Sequence, residues 1–192
     1  MKFCFIIFSA LIALTPLKGW TIATLPPLPT DFAQSGFGTA WYGAELVKKI
    51  QFNGNVKLDG TQVSGLVAVN GRLDASNTTI GMVQVNGATK LSDSQVEENC
   101  VVNGPLRARD CLFKGDMSVA SHKVELASSQ AHSIIIRKLQ ADGGPQVLKL
   151  VKGSLVRGDI IFEGGGGRVI VDSNSRILGR VQGGAIEKQK PL

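Results

Sequence analysis

The chain has 192 residues, of which 43% are hydrophobic and 19% are charged, and it carries a formal net charge of +6. This mild basic excess would suit a polyanion, but the aromatic residue among the late basic residues, Phe162, points inward by parity, which argues against a nucleic-acid partner that binds by base stacking. Three cysteines and two histidines show no zinc-ligand spacing, so we expect no metal site and no cofactor.

The N-terminal segment has the outline of a secretory signal peptide. Lys2 precedes an apolar stretch over residues 3–14, and Pro16 then breaks any helix. We expect a signal peptide over residues 1–19, a cleavage window at 19–23, and export to the periplasm or the extracellular space. An uncleaved segment would be the chain's contact with a membrane, although it is shorter than the ~20 residues of a spanning helix.

Residues 20–49 are predicted to form a Pro-rich linker and an N-terminal cap. The sequence Leu-Pro-Pro-Leu-Pro at 25–29 favours an extended linker. The aromatic pair Trp41 and Tyr42 follows, and it is a candidate site for docking a partner. The alternative is that this segment covers the open end of the repeat region.

Four Asn-Gly dipeptides recur at spacings of 17, 16 and 17 residues. They are Asn53-Gly54, Asn70-Gly71, Asn86-Gly87 and Asn103-Gly104. A fixed period near 17 residues predicts a coil of stacked turns. We therefore predict an all-β fold, a single-stranded β-helix or β-solenoid of triangular section over residues 50–187, with ~17 residues per turn, seven to eight turns, and a tail at 188–192.

A hairpin is the rival interpretation, because Asn-Gly between alternating segments is a strong hairpin signal. In a hairpin, the apolar residues on the two sides of Gly71 would lie on opposite faces of the sheet. In a coil, Val67, Val69, Leu73 and Ala75 keep one parity and all point inward around a corner. The same parity holds at the other three dipeptides, so the coil is favoured.

Stacked corners predict two ladders along the coil. Glycine tolerates positive φ, and asparagines stacked at the strand spacing of ~4.8 Å can form an amide ladder, which ends where Ala120 replaces Asn. A second row contains Ser or Thr in six of seven positions. Its members are Thr61, Thr78, Ser94, Cys111, Ser129, Ser154 and Ser175. We interpret this row as structural hydrogen bonding, since no general base accompanies it.

Cys100 and Cys111 are both predicted to point into the coil, on different sides of one turn. An exported protein meets oxidising conditions, so a disulfide between them is one alternative. Two buried thiols that act as small hydrophobes are the other, and the spacing does not choose between them.

Residues 158–184 contain Gly-Asp-Ile-Ile, a glycine run, Arg-Val-Ile-Val and Ile-Leu-Gly-Arg-Val-Gln-Gly. They resemble turns of bactofilins, a polymer-forming cytoskeletal family, and the earlier 17-residue turns resemble that family in period. The predicted signal peptide is an addition to this pattern. The resemblance implies a right-handed triangular β-helix that assembles end to end without nucleotide.

We expect a non-enzymatic, exported structural or assembly protein of the bacterial cell envelope. It would associate with itself, or with another envelope protein, through the ends of the coil. An alternative is a surface adhesin or glycan-binding module, in which a lateral face and the loop at 138–147 contact a polysaccharide. The late basic residues would then suit a polyanionic glycan.

A small polysaccharide-active enzyme is the third hypothesis. Asp93 and Asp110 lie one turn apart in register, and glycoside hydrolysis uses paired carboxylates. The equivalent positions of the neighbouring turns hold Gly60, Asn77 and Ser128, so the column offers two acids only. We therefore expect no enzymatic activity.

Overall fold

The computed structural model describes residues 30–140 and 144–189, and all regular secondary structure in them is β-strand. The predicted signal peptide with its cleavage window, the linker before residue 30 and the tail from residue 190 lie outside the described residues. Parallel strands stack into a β-solenoid of about nine turns with about 17 residues per turn. The predicted all-β solenoid is confirmed, whereas the predicted seven to eight turns become about nine.

Most turns contribute three short strands, one to each side of a triangle. In chain order the strands are β1 (Thr30–Tyr42), β2 (Leu46–Asp59), β3 (Gln62–Ser76), β4 (Thr79–Asn86), β5 (Thr89–Ser92), β6 (Gln95–Val96), β7 (Cys100–Asn103), β8 (Leu106–Arg109), β9 (Leu112–Phe113), β10 (Met117–Ala120), β11 (Lys123–Ala127), β12 (Gln130–Ala131), β13 (Ile134–Ile136), β14 (Val147–Val151), β15 (Leu155–Val156), β16 (Ile160–Phe162), β17 (Gly167–Val171), β18 (Arg176–Ile177), β19 (Val181–Gln182) and β20 (Gly184–Lys188).

The strand pairings define three faces. Face A contains β7, β10, β13, β16 and β19, face B contains β5, β8, β11, β14, β17 and β20, and face C contains β6, β9, β12, β15 and β18. The long strands β1 to β3 begin on face C and continue across face A to face B, and β4 runs from face C to face A. The Asn-Gly dipeptides lie at the corner between faces A and B.

Alternate residues of each face point inward and form one continuous core. Val67 and Val69 on face A are buried, and so are Leu73 and Ala75 on face B. These four residues lie on both sides of Gly71, so the inward parity passes through the corner, as the sequence predicts for a coil. All the pairings between strands are parallel, which excludes the hairpin.

The coil begins one turn earlier than predicted. Strand β1 pairs in parallel with β2 and places Gly38 opposite Gly54, so residues 30–42 form a turn of the solenoid. The sequence period does not reveal this turn, because Phe37 replaces the asparagine of the corner and Gly36 occupies an inward position that is apolar in later turns.

The later turns are less regular than the first ones. Ile136 pairs directly with Phe162, so one turn accommodates the insertion at 138–147, of which residues 141–143 lie outside the described residues. The inward residues Leu148 and Leu150 are fully buried beyond the insertion. The insertion therefore leaves the core continuous.

Candidate functional site

An amide ladder runs along the corner between faces A and B. Asn70 Nδ2 donates to Asn53 Oδ1 at 2.8 Å, and Asn86 Nδ2 donates to Asn70 Oδ1 at 2.7 Å. Asn103 Nδ2 extends the series to Asn86 Oδ1 at 2.5 Å. All these bonds point the same way along the coil, so each amide polarises the next one.

Arg137 ends the ladder, although no sequence motif marks this residue. Its Nη2 donates to Asn103 Oδ1 and, at 3.3 Å, to the carbonyl oxygen of Val102. Ala120 occupies the position between Asn103 and Arg137. The small side chain of Ala120 leaves room for the guanidinium group of Arg137. The residue that interrupts the asparagine row therefore allows Arg137 to reach Asn103, the last asparagine of the ladder.

The corner glycines lie too close together to carry side chains. Gly54, Gly71, Gly87 and Gly104 have φ between +136° and +150°. A Cβ at Gly71 would lie 2.1 Å from the carbonyl oxygen of Gly54 in the preceding turn. Contact between successive corners is therefore a second requirement for glycine, in addition to the positive φ.

The acidic pair considered for catalysis lies at the corner between faces B and C. Asp93 and Asp110 have φ of 48° and 52°, and Asn77 and Ser128 at the same corner have 52° and 50°. Gly60 and Lys152 belong to the same column, with φ of 70° and 56°. Asn and Asp tolerate the left-handed conformation better than most residues. The backbone geometry therefore accounts for this column without a catalytic role.

A polar groove of about 980 Å³ lies along face C beside this corner. At its edge Lys114 Nζ forms an ion pair with Glu97 Oε2 at 2.7 Å, and His132 Nδ1 lies within hydrogen-bond distance of Asp116 Oδ1 at 3.0 Å. The hydrogen bond from Lys114 is the main cause that lowers the pKa of Glu97. Among the described residues, no three His, Cys, Asp or Glu side chains converge as metal ligands would.

The Ser/Thr row is buried, and its hydroxyl groups join successive turns. Ser129 Oγ donates to the carbonyl oxygen of Ala127 at 2.8 Å and accepts from the N–H of Cys111 at 3.1 Å. Ser154 Oγ accepts from the N–H of Ser129 at 3.3 Å and donates to the carbonyl oxygen of Val151 at 2.7 Å. The row thus satisfies backbone groups of the buried corner.

Cys100 and Cys111 are free, buried thiols in the structure. Cys100 belongs to the inward row of face A, whereas Cys111 takes a place in the Ser/Thr row and donates to the carbonyl oxygen of Arg109 at 3.0 Å. Burial raises the pKa of Cys100 to about 12 and the pKa of Cys111 to about 11. Both groups are protonated at neutral pH, so neither is a reactive thiolate.

We expect neither thiol to react with iodoacetamide in the folded protein. The thiolate is the nucleophile, and burial suppresses both its formation and its access to the reagent. Peptide mass spectrometry should find Cys100 and Cys111 unmodified after native labelling and both alkylated after labelling in guanidinium without reductant. A disulfide-linked peptide, or rapid native labelling of either residue, would contradict this arrangement.

The structure separates the two aromatic residues that the sequence places together as a docking pair. Tyr42 is 3% exposed and lies in the core, and burial followed by the charge of Glu45 raises its pKa. Trp41 is 67% exposed on face B, and Phe37 is 87% exposed at the corner between faces A and B. The exposed aromatics of the first turn are therefore Phe37 and Trp41.

A second groove, which we call the face A groove, crosses the first four turns on the outside of face A. It has a volume of about 670 Å³ and is bordered by Phe37 and by the first three asparagines of the ladder. Gln51 and Gln84 lie at its two ends, with Ala68 between them in one outward row. None of its lining residues is ionisable.

The C-terminal end of the coil leaves its inward side open. Ile186 pairs with Val169, which is fully buried, yet Ile186 itself is 54% exposed. Ile186, Val171 and Ile177 line a hollow of about 580 Å³ at this end, and Leu178 is exposed beside it. Within residues 144–189, no element covers the last turn.

Nothing in the described ranges forms a long apolar helix of the type that crosses a membrane.

The structure offers three surfaces as candidate sites: the open end of the last turn, the exposed aromatics of the first turn and the face A groove. In comparisons with known proteins, the chain matches no family model, no curated protein and no solved structure at a significant level.

Proposed function

We propose that the protein is a non-enzymatic structural protein of the bacterial cell envelope, exported by its signal peptide, that assembles end to end through the ends of its solenoid. The observation that carries the proposal is the exposure of Ile186. This side chain has the inward position that is fully buried at Val169 one turn earlier. A further turn stacked on it would bury apolar surface, which favours association.

The strand edges support the same proposal. All turns stack in parallel, and the last turn, with β18, β19 and β20, has no described strand on its outer side. A second copy placed head to tail would continue the same parallel ladder, and unpaired strand edges are templates for such pairing. At the other end, β1 pairs with β2 on one side, and no described strand pairs with its other side. A contact between two different ends does not close on itself, so it yields filaments.

The resemblance to bactofilins agrees with this function. Bactofilins form polymers, and the resemblance implies the same activity for this chain. The solenoid fold is common to both. The signal peptide would place the polymer outside the cytoplasm. Another envelope protein that docks on the same end is the alternative partner, and it would use the same open turn.

We expect Ile186→Lys to abolish the assembly. A lysine at the open end puts charge where a second copy would bury apolar surface, and desolvation of that charge opposes the contact. Light scattering with size-exclusion chromatography should show concentration-dependent oligomers for the parent chain and monomers for the variant.

Val101→Lys is the matched control, since Val101 is partly exposed on the side of the coil. This variant should assemble like the parent chain. A parent chain that stays monomeric at every concentration would contradict the proposal, and so would assembly of Ile186→Lys at the parent's level.

A further inference from the structure

The face A groove is the described cavity whose lining combines amide side chains, aromatic rings and no charge. The groove on face C is lined by Asp93, Asp110 and Arg157, and the hollow at the C-terminal end belongs to the proposed assembly surface. From the face A groove we infer a binding site for a neutral oligosaccharide. The ligand class follows from three features of the lining.

The first feature is a set of amides that still have free hydrogen-bonding capacity. Asn70 and Asn86 each use one N–H and one lone pair within the ladder, and a carboxamide has two donors and two acceptor lone pairs, so one of each stays free. Gln51 and Gln84 are exposed, and their side-chain amides make no hydrogen bond within the described structure. Adjacent donors and acceptors of this kind match the vicinal hydroxyl groups of a sugar.

The second feature is aromatic surface beside these amides. Phe37 is exposed at the edge of the groove. Phe52 has an inward position but is partly exposed and lines the groove. Its ring lies against Gly36, where an added Cβ would be 2.5 Å from Phe52 Cε2. The rings can pack against the C–H face of a sugar, which is apolar.

The third feature is the shape of the groove floor. Ala68 lies between Gln51 and Gln84 in the same outward row, so its small side chain leaves a depression between two long amides. Two turns separate the glutamines, which gives a span of about 10 Å at the strand spacing. A depression of this size accepts one or two sugar rings and holds them between the two amides.

The absence of charge from this lining selects a neutral glycan over a polyanionic one. An acidic polysaccharide needs cations to bind its carboxylates, and the lining of the face A groove contains none. An extended peptide is less favoured, because such ligands pair with strand edges, whereas most of the groove lies on the outer surface of β2, β3 and β4, which are paired on both sides. The inference does not rest on the proposed assembly, because the groove opens sideways over four turns and only its edge at Gly36 and Phe37 belongs to the first turn.

The test is the binding of neutral oligosaccharides to the full chain by isothermal titration calorimetry. The probes are cellotetraose and the β-1,4-linked tetramer of N-acetylglucosamine, with a galacturonic acid tetramer as the charged comparison. We expect at least one neutral probe to bind, with an affinity that does not change between low and high salt, because no ionic contact is involved. The galacturonic acid tetramer should not bind.

Ala68→Arg fills the depression with a long, charged side chain and should reduce the affinity for the neutral probe at least tenfold. Ser118→Arg is the matched control, since Ser118 lies in the same outward row two turns beyond Gln84. It should bind like the parent chain. Phe37→Ala should also weaken binding, without effect on the circular dichroism spectrum.

Three results would overturn the inference. One is the absence of binding to both neutral probes. Another is equal binding by the parent chain and Ala68→Arg. The third is salt-sensitive binding of the charged tetramer in preference to the neutral ones. That result would indicate that the binding site is formed by the basic residues of the later turns.

Discussion

Gly71→Ala should lower the free energy of unfolding by about 3 kcal/mol or more, which places it among the severe single substitutions. Two costs act together. The residue has a φ of +146°, which costs of order 1–3 kcal/mol for a residue with a side chain. The added Cβ would also lie 2.1 Å from the carbonyl oxygen of Gly54, a backbone atom that cannot move without separating the stacked corners. Urea denaturation followed by circular dichroism measures the change.

Gly38→Ala separates these two costs. Gly38 has a φ of +102°, but an added Cβ would meet no atom within 4 Å. This variant should therefore lose only the conformational part, about 1 kcal/mol. Equal losses at Gly38 and Gly71 would show that contact between the corners does not matter for stability.

Ser154→Ala should cost about 2 kcal/mol of unfolding free energy. Ser154 is buried, and its Oγ accepts the N–H of Ser129 and contacts the carbonyl oxygens of Val151 and Leu126 at 2.7 and 3.0 Å. Alanine would leave these backbone groups without that partner, and a buried unsatisfied group costs about 1–3 kcal/mol. Thermal and urea unfolding should both report the loss.

Ser118→Ala is the control for this prediction. Ser118 lies on the outer side of face A, and its hydroxyl group makes no hydrogen bond within the described residues. Its replacement should change the unfolding free energy by less than about 0.5 kcal/mol. If Ser154→Ala is as mild as this control, the hydroxyl row has no structural role.

The inward parity of apolar residues made most of the fold predictable. Val69 and Leu73 lie on opposite sides of an Asn-Gly step and yet share one parity, and that relation holds only in a coil. The first turn escaped prediction because Phe37-Gly38 carries no asparagine, so residues 30–42 gave no register. Without that register, the sequence could not show that Tyr42, which pairs with Leu58, is buried while its neighbour Trp41 is exposed.

The candidate sites depend on contacts between turns, which the sequence does not show. The reach of Arg137 across Ala120 to Asn103 depends on the size of the residue in the turn between them. The face A groove depends on Gly36 above Phe52 and on Ala68 between two glutamines. Apart from the corner asparagines, outward side chains are under no packing constraint of fixed period, so the row of Gln51, Ala68 and Gln84 carries no pattern that predicts a groove.

Electron microscopy of the purified full chain tests the proposed assembly most directly. About nine turns at a strand spacing of ~4.8 Å give a length of about 43 Å for one copy. Head-to-tail assembly predicts that the parent chain forms unbranched filaments one coil wide, with an axial repeat near this length. It predicts no filaments for Ile186→Lys. Discrete monomers of the parent chain at high concentration, or filaments that persist in Ile186→Lys, would contradict it.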